Sequence, residues 1–497
     1  MAGPAVPSVR MYRNGLDGET LGGLGDCFLL TLPGEDEPRH ILIDCGLFLH
    51  SEKIKNRLHT TLLDIYTATG GHLHAIVLTH QHYDHLSGFI LGFDKFKTFK
   101  VDEVWLAWTE DPADPQAAVL RHSLAVRTTT LQESTHALAG MYQGDKDRTM
   151  ALQEVQNLLG FAGDTARGVS APSVSDIMMQ VAAHVSEQGG RVRYLSPGES
   201  WVLPASPTAT RVFVLGPPRD PALLRRSDPH SGANKEVYLS QLLGHALASA
   251  AGTAAPNDPP LPFDERLRID LKAGIETHYP AYNAQDATWR TLDASWISMA
   301  TDLALNLDQD TNNTSLVLAF ELSPGGDVLL FPGDAQVGNW LSWFDLQFAV
   351  TDTGQPEARS VDARALLART AIYKVGHHGS HNATLKAQGL ELMIHPNLVA
   401  LIPVDEVFAR SRGTKGWAMP YPEMYDELRR RTSFRVLRAD QPMASEPPNG
   451  ATPEDVAKWK EFTKRVTETP LYFEYRLNLE ESHDRPRKSS RRHRTPK

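Results

Sequence analysis

Short apolar runs bounded by turn chemistry recur near both ends of the chain. Gly25–Leu32 and Ile41–Gly46, separated by a Pro/Gly/Glu turn, read as paired strands, and Ala75-Ile-Val-Leu-Thr79 as a third, too short for a helix. From about residue 100 to 310 the spacing is mostly helical, as in Thr129–Leu159 and Glu236–Ala251, with the Ala/Pro-rich Ala254–Pro262 as an exposed loop. Strand character returns in Ser315–Leu322 and Val328–Phe331, joined by the hairpin signal Pro324-Gly-Gly-Asp327. Ala371–Val375, Asn397–Pro403 and Phe434–Arg438 read as later strands, with a helix over Pro422–Arg431; Lys458–Leu477 fits either element. This gives a first part of the fold at 1–100, an insertion or cap at 101–310, a second part at 311–480 and a basic tail at 481–497. The tail carries seven Lys or Arg against one Asp from His483 onward and is expected to be disordered.

Composition narrows the class. At 497 residues, 41% hydrophobic and 22% charged, the chain can bury a large core or two to three smaller ones. Fifty Lys and Arg against sixty Asp and Glu leave −10, which argues against coating nucleic acid by bulk charge. Two cysteines, Cys27 and Cys45, cannot staple a body of this size, so a reducing compartment and small buried side chains are expected. No run approaches the roughly 18 apolar residues of a membrane span, and Met1–Asn14 lacks the apolar core of a secretory signal. The expectation is a soluble, cytoplasmic protein with no membrane insertion.

The candidate chemistry sits where strands stop. Thr79-His-Gln-His-Tyr-Asp-His85 places three imidazoles and a carboxylate within six residues after a strand, and these are ligand types shared by zinc, manganese and iron. Spacing by two turns His80 and His82 the same way in extended backbone, while Asp84 and His85 can reach round a turn to a second point. Asp334, just after Phe331, suits a bridging carboxylate, and His377 and His378 follow the strand at Ala371–Val375. Singly, Asp334 fits a turn-forming Gly-Asp and the two histidines fit a cap or core role; together with Asp44 at another strand end they describe a site.

Leu42-Ile-Asp44-Cys-Gly46, His80-x-His82-x-Asp84-His85, Gly333-Asp334 and His377-His378 resemble the ordered motifs of the metallo-β-lactamase fold superfamily. Asn312-Asn-Thr-Ser-Leu-Val-Leu318, Leu329–Asp334 and Tyr373-Lys-Val-Gly-His-His-Gly-Ser380 are similar to the hydrolase domain of bacterial DNA-uptake channel proteins and its soluble relatives. The resemblance spans about 20–100 and 310–440. It implies an α/β fold, a four-layer αββα sandwich, here carrying a large, mainly helical insertion. It also implies one or two divalent metal ions, zinc or manganese foremost. His80 and His82 would hold one; Asp84, His85 and a late histidine, His378 ahead of His377, would hold the other, with Asp334 bridging and Asp44 supporting. Where most dinuclear members place a third histidine for the first metal, this chain reads Thr311-Asn-Asn-Thr-Ser315, so Asn313 or a water would complete that shell. A ligand from the insertion, His230 or His278, is the lesser alternative, because a lone loop histidine is usually not a ligand.

The resulting expectation is a metal-dependent hydrolase using a metal-held hydroxide, a phosphodiesterase or nuclease, with Asp84 doubling as proton carrier. G-x-S-x-G, P-loop and dinucleotide motifs are absent from the sequence. Lys374 and Ser380 flank the late histidines and would touch an anionic substrate, unless Lys374 caps a surface. Arg410, Arg412, Lys415 and Trp417 would form a wall for phosphate and a stacked base, a phosphodiester or a nucleic acid, and the basic tail a second contact. Trp289, Trp296, Trp340 and Trp343 read as packing residues. Two rivals stand beside this: hydrolysis of carboxylic esters, lactones or thioesters, which a mostly apolar pocket without cations would favour, and a non-catalytic binding module that keeps the fold.

Overall fold

The computed structural model describes residues 6–13, 23–48, 52–141, 173–226, 293–352, 357–412, 416–447 and 450–477, with scattered positions in 152–159. Glu236–Ala251, Ala254–Pro262, His230, His278, Trp289, Lys415 and the basic tail lie outside the described residues.

Two large sheets form the framework. The first runs in the order Val466–Glu468, Tyr472–Arg476, Ser8–Tyr12, Cys27–Leu32, Arg39–Cys45, Ala75–Leu78, Glu103–Ala107 and Arg191–Leu195. The second runs Val436–Arg438, Val399–Ile402, Thr370–Lys374, Val328–Phe331, Val317–Glu321, Arg211–Gly216 and Ser200–Val202. Each is antiparallel at one end and parallel at the other. Arg39–Cys45, Ala75–Leu78 and Glu103–Ala107 are parallel neighbours, as are Val328–Phe331, Thr370–Lys374 and Val399–Ile402.

Side-chain alternation explains why these strands read as continuous apolar runs. Leu30, Ile43, Val77 and Trp105 of the first sheet share one core with Val214, Leu318, Leu329 and Leu401 of the second. The alternate residues point the other way. Leu42, Ile76 and Leu106 pack with Leu58 and Leu62 of the helix Glu52–Thr69, Phe89 of Tyr83–Leu91 and Val181 of Val174–Glu187. Val317, Leu330 and Tyr373 pack with Trp340, Trp343, Leu366 and Leu428 on the far side of the second sheet. A strand covered on both faces has no polar side to show, so its sequence loses the alternation of a half-exposed strand.

The structure differs from the expected helical stretch at 101–310. Glu103–Ala107, Arg191–Leu195, Ser200–Val202 and Arg211–Gly216 are strands of the two sheets. A five-residue run such as Glu103-Val-Trp-Leu-Ala107 holds too few positions to separate strand from helix by period, and the long helices around it, Pro115–Met141 and Val174–Glu187, dominate the pattern. The ambiguous 458–477 region resolves into the end of a helix at Pro453–Thr463 and the strands Val466–Glu468 and Tyr472–Arg476. Among the described residues no helix is long and apolar enough to cross a membrane.

Candidate metal centre

The parallel halves of both sheets direct their C-terminal ends to one edge, the ordinary place for a site in an open α/β sheet. Arg39–Cys45 delivers Asp44; Ala75–Leu78 delivers Thr79 to His85; Val328–Phe331 delivers Asp334; Thr370–Lys374 delivers His377 and His378. Asp84, His85, Asp334 and His378 are all buried and each offers a ligand atom within 4.8 Å of the others. His378 Nε2 stands 2.9 Å from Asp84 Oδ2, and His85 Nε2 is 3.2 Å from Asp334 Oδ2 and 3.8 Å from Asp84 Oδ2.

These side chains are held from behind. Asp44 accepts from Thr79 N at 2.9 Å and Thr79 Oγ1 at 2.7 Å, and its Oδ2 meets His85 Nδ1 at 2.7 Å. His378 Nδ1 lies 2.7 Å from Pro403 O. Lys374 is buried between Asp26 and Asp334, donating to Asp334 Oδ1 at 2.9 Å and to Gly333 O at 2.6 Å. His377 N also donates to Asp334 Oδ1, at 2.9 Å, which leaves Oδ2 as the oxygen facing the cluster. Asp44, His377 and His378 carry φ of 53°, 43° and 52°, a left-handed backbone that non-glycine residues rarely adopt and that collects at functional sites.

The donor set fits a divalent cation. Asp84 Oδ1, His85 Nε2 and Asp334 Oδ2 are buried and have no hydrogen-bond partner among the described residues, whereas buried polar atoms are nearly always paired. The charge balance points the same way. Burial alone would lower His85, but the carboxylates of Asp334, Asp26, Asp44 and Asp84 override it and raise the imidazole well above its ordinary value. Asp334 is held well below the usual carboxylate range, against the upward push of burial, by Lys374 and His85. Asp26 moves up, because burial outweighs the same lysine. The edge where the sheets meet therefore attracts positive charge.

His80 and His82 are buried beside this group rather than in it. His80 Nε2 and His82 Nδ1 stand 3.0 Å apart, close to the edge of about 3.3 Å expected between two ligands bound at 2.0–2.1 Å to one tetrahedral cation. Burial lowers His82 to about 4 and holds His80 well below the ordinary imidazole value, which favours neutral rings.

Several other residues fall elsewhere than expected. His377 Nδ1 meets Ser380 Oγ at 2.9 Å and Gln336 Nε2 at 3.3 Å, outside the four-residue group. Asn313 braces the loop after Asp334 instead of facing a cation: its Oδ1 accepts from Gln336 N and Asn339 N, at 3.1 and 3.3 Å, and its Nδ2 donates to Arg226 O at 3.0 Å. Lys374 neither meets substrate nor caps a surface; it is the buried counter-charge of the site. Arg410 pairs with Glu406 on the surface, and Arg412 lies over the Phe408 ring at 4.1 Å, leaving Trp417 as the member of the expected wall that reaches the neighbouring cavity among the described residues. That cavity, about 270 Å³, is bounded on the cluster side by Asp308, Gln336, His377 and Ser380 and on the outer side by Trp417 and Tyr421, with no Lys or Arg among its described lining.

Two acidic residues of the site escape a reading of the sequence. Asp26 precedes a strand, where a turn role is the ordinary reading; its backbone N donates to Asp84 O at 3.0 Å and its carbonyl accepts from Gly46 N at 2.9 Å. Asp308 sits within the helix Asp293–Asn312, and burial, followed by the carboxylates of Asp84 and Asp334, pushes its carboxyl well above the usual range. The glycine at 46 has a clear cause: a Cβ there would overlap the backbone of Asp84. Gly46→Ala is expected to destabilise the chain by about 1–3 kcal/mol through overpacking and to weaken cation retention by displacing Asp84. Denaturant unfolding and metal content after dialysis check both effects.

A family model described as the metallo-beta-lactamase superfamily matches residues 21–121, the stretch that carries Asp26, Asp44 and the His80–His85 cluster. It leaves Asp334 and His378 to the part of the chain beyond the match. A search of curated proteins found no match. The superfamily match and the His/Asp cluster together support a metal-dependent hydrolase.

Proposed function

We propose that this chain hydrolyses phosphodiesters, as a phosphodiesterase or nuclease, at a zinc or manganese centre held by Asp84, His85, Asp334 and His378, with His80 and His82 as a second holding point. The observation that carries the reading is the convergence of those four buried residues from both sheets, three of them with a buried polar atom that has no hydrogen-bond partner among the described residues. In this reading the two sheets and their flanking helices, Val174–Glu187 among them, are the four-layer αββα sandwich of the superfamily, and the helices Pro115–Met141 and Asp293–Asn312 form a cap over the site.

A divalent cation bound there would supply Lewis acidity and bring the pKa of a water from 15.7 to about 7. The chain's own residues do the rest. Asp84 would hold the cation through Oδ2, which stands 2.9 Å from His378 Nε2, and leaves its second oxygen, Oδ1, to take a proton from the attacking water and return it to the leaving oxygen. Asp44 and Pro403 O fix the ring orientations of His85 and His378. Lys374 occupies Asp334 Oδ1 and so aims Oδ2 inward. Trp417 and Tyr421 offer aromatic walls to a group carried beside the scissile bond.

The absence of Lys and Arg from the described lining of the cavity favours a second reading, hydrolysis of carboxylic esters, lactones or thioesters. Turnover of bis-p-nitrophenyl phosphate, single-stranded DNA and p-nitrophenyl esters, each with zinc or manganese added back after chelation, separates the two. Metal-dependent phosphodiester cleavage well above ester cleavage is expected. Ester turnover alone would install the second reading, and no turnover with no bound metal would leave a binding module.

A further inference from the structure

Each imidazole of the centre has a front atom that faces the cluster and a rear atom that something must hold, because a metal-ligating histidine gives its other ring nitrogen to a carboxylate, carbonyl or water. For His85 the rear atom is Nδ1, on Asp44; for His378 it is Nδ1, on Pro403 O; for His80 it is Nδ1, 3.0 Å from Thr79 Oγ1. His82 is turned the opposite way. Its Nδ1 faces His80 Nε2, so its rear atom is Nε2, and 3.7 Å from that atom stands Asp308 Oδ1. Asp308 belongs to neither sheet. It arrives on the helix Asp293–Asn312, which comes just before the stretch where a third histidine is missing.

Resting on the metal-centre reading above, we propose that Asp308 is a positioning residue for the His80–His82 holding point: it orients His82 through Nε2 and turns Nδ1 toward His80. The position of Asp308 is itself constrained. Asn312, one turn later, donates from Nδ2 to Asp308 Oδ2 at 3.1 Å, which leaves Oδ1 toward His82. Asp310 on the same helix pairs with Arg127 at 2.9 Å, tying it to the helix Pro115–Met141. Beyond the helix end, Asn313 is fixed to Gln336 and Asn339 in the loop that follows Asp334. The 3.7 Å separation is longer than a direct hydrogen bond, so the orienting contact is one that a water bridges or a small turn of the ring closes, and a carboxylate or a carboxylic acid presents an acceptor oxygen to it. Because Asp308 also lines the cavity, the segment that carries it links substrate space to the cation geometry.

The test is a titration of the full-length, chelator-stripped chain with cobalt(II), read by visible absorption and by calorimetry, for the native protein, Asp308→Ala and Asp308→Asn. Two classes of cobalt are expected in the native chain. In Asp308→Ala one class weakens roughly 10–100-fold, the range for a lost supporting partner, and its absorption band shifts. The class held by Asp84, His85, Asp334 and His378 stays put, and Asp308→Asn, which keeps an acceptor oxygen, recovers most of the loss. Two unchanged classes in Asp308→Ala would overturn the inference while leaving the metal centre intact. No cobalt binding in the native chain would overturn both. If Asp308→Ala does not fold, Asp308→Asn compared with Asp308→Leu at the same cobalt concentrations decides, because leucine fills the space without an acceptor.

Discussion

Lys374→Met is expected to destabilise the metal-free chain by about 3–5 kcal/mol, the cost of leaving a buried charge without its partner. The lysine lies between two buried carboxylates, Asp26 and Asp334, and donates to Asp334 Oδ1 and Gly333 O as well. Methionine keeps the length and apolar stem but removes the cation, so the carboxylates face one another across a dry gap and the Gly333 carbonyl loses a donor. Both carboxyls are exposed to this loss electrostatically, because for each Lys374 is the strongest of the influences that oppose burial. Denaturant unfolding of the stripped protein measures the effect. A second signature follows from the site's charge: zinc or manganese should restore a larger share of stability in Lys374→Met than in the native chain, since a cation replaces part of the missing positive field. A loss under about 1 kcal/mol, with no added metal dependence, would show that Lys374 is not the counter-charge of the centre.

The contrast between Lys374 and His80–His85 shows what a linear sequence can and cannot convey. Ligand-type residues packed into six positions after Ala75-Ile-Val-Leu78 announce themselves locally, and the strand before them places them at an edge. Asp334 and His378 follow the same rule at Phe331 and Lys374. Lys374 itself gives no such signal. Its partner Asp26 lies on the other sheet, and pairing of opposite charges across a fold leaves no periodicity in either segment. The role of Asp308 is hidden for a related reason: in Asn306-Leu-Asp-Gln-Asp310 an acid looks like part of a solvated helix face, and only the packing of that helix against the site turns it inward. The sheet strands between 103 and 216 were obscured by brevity. The four described ones hold three to six residues each, while the α-helices Pro115–Met141 and Val174–Glu187 among them hold 27 and 14.

Asp84→Ala is expected to lower turnover of the best substrate by roughly 10²–10⁴-fold, the range for removing a positioned proton-transfer group, and further where cation binding also fails. Asp84 does two things at once. Its Oδ2 stands 2.9 Å from His378 Nε2, where both would hold the cation between the two sheets, and its Oδ1 is the unpartnered oxygen that handles the proton. Alanine removes both, so the loss cannot be assigned from one variant. Asp84→Asn separates them: the amide oxygen can still face His378, but an amide cannot take a proton from water, so turnover should stay low while cobalt occupancy recovers in part. His378→Ala supplies the complementary case, with a buried Asp84 left without its imidazole and the cation site weakened before the proton step is touched. The informative quantity is the ratio of turnover to bound metal across the three variants. If that ratio is unchanged in Asp84→Asn, Asp84 acts through metal holding alone and the proton must travel by another group; if it falls at least a hundredfold, Oδ1 carries it.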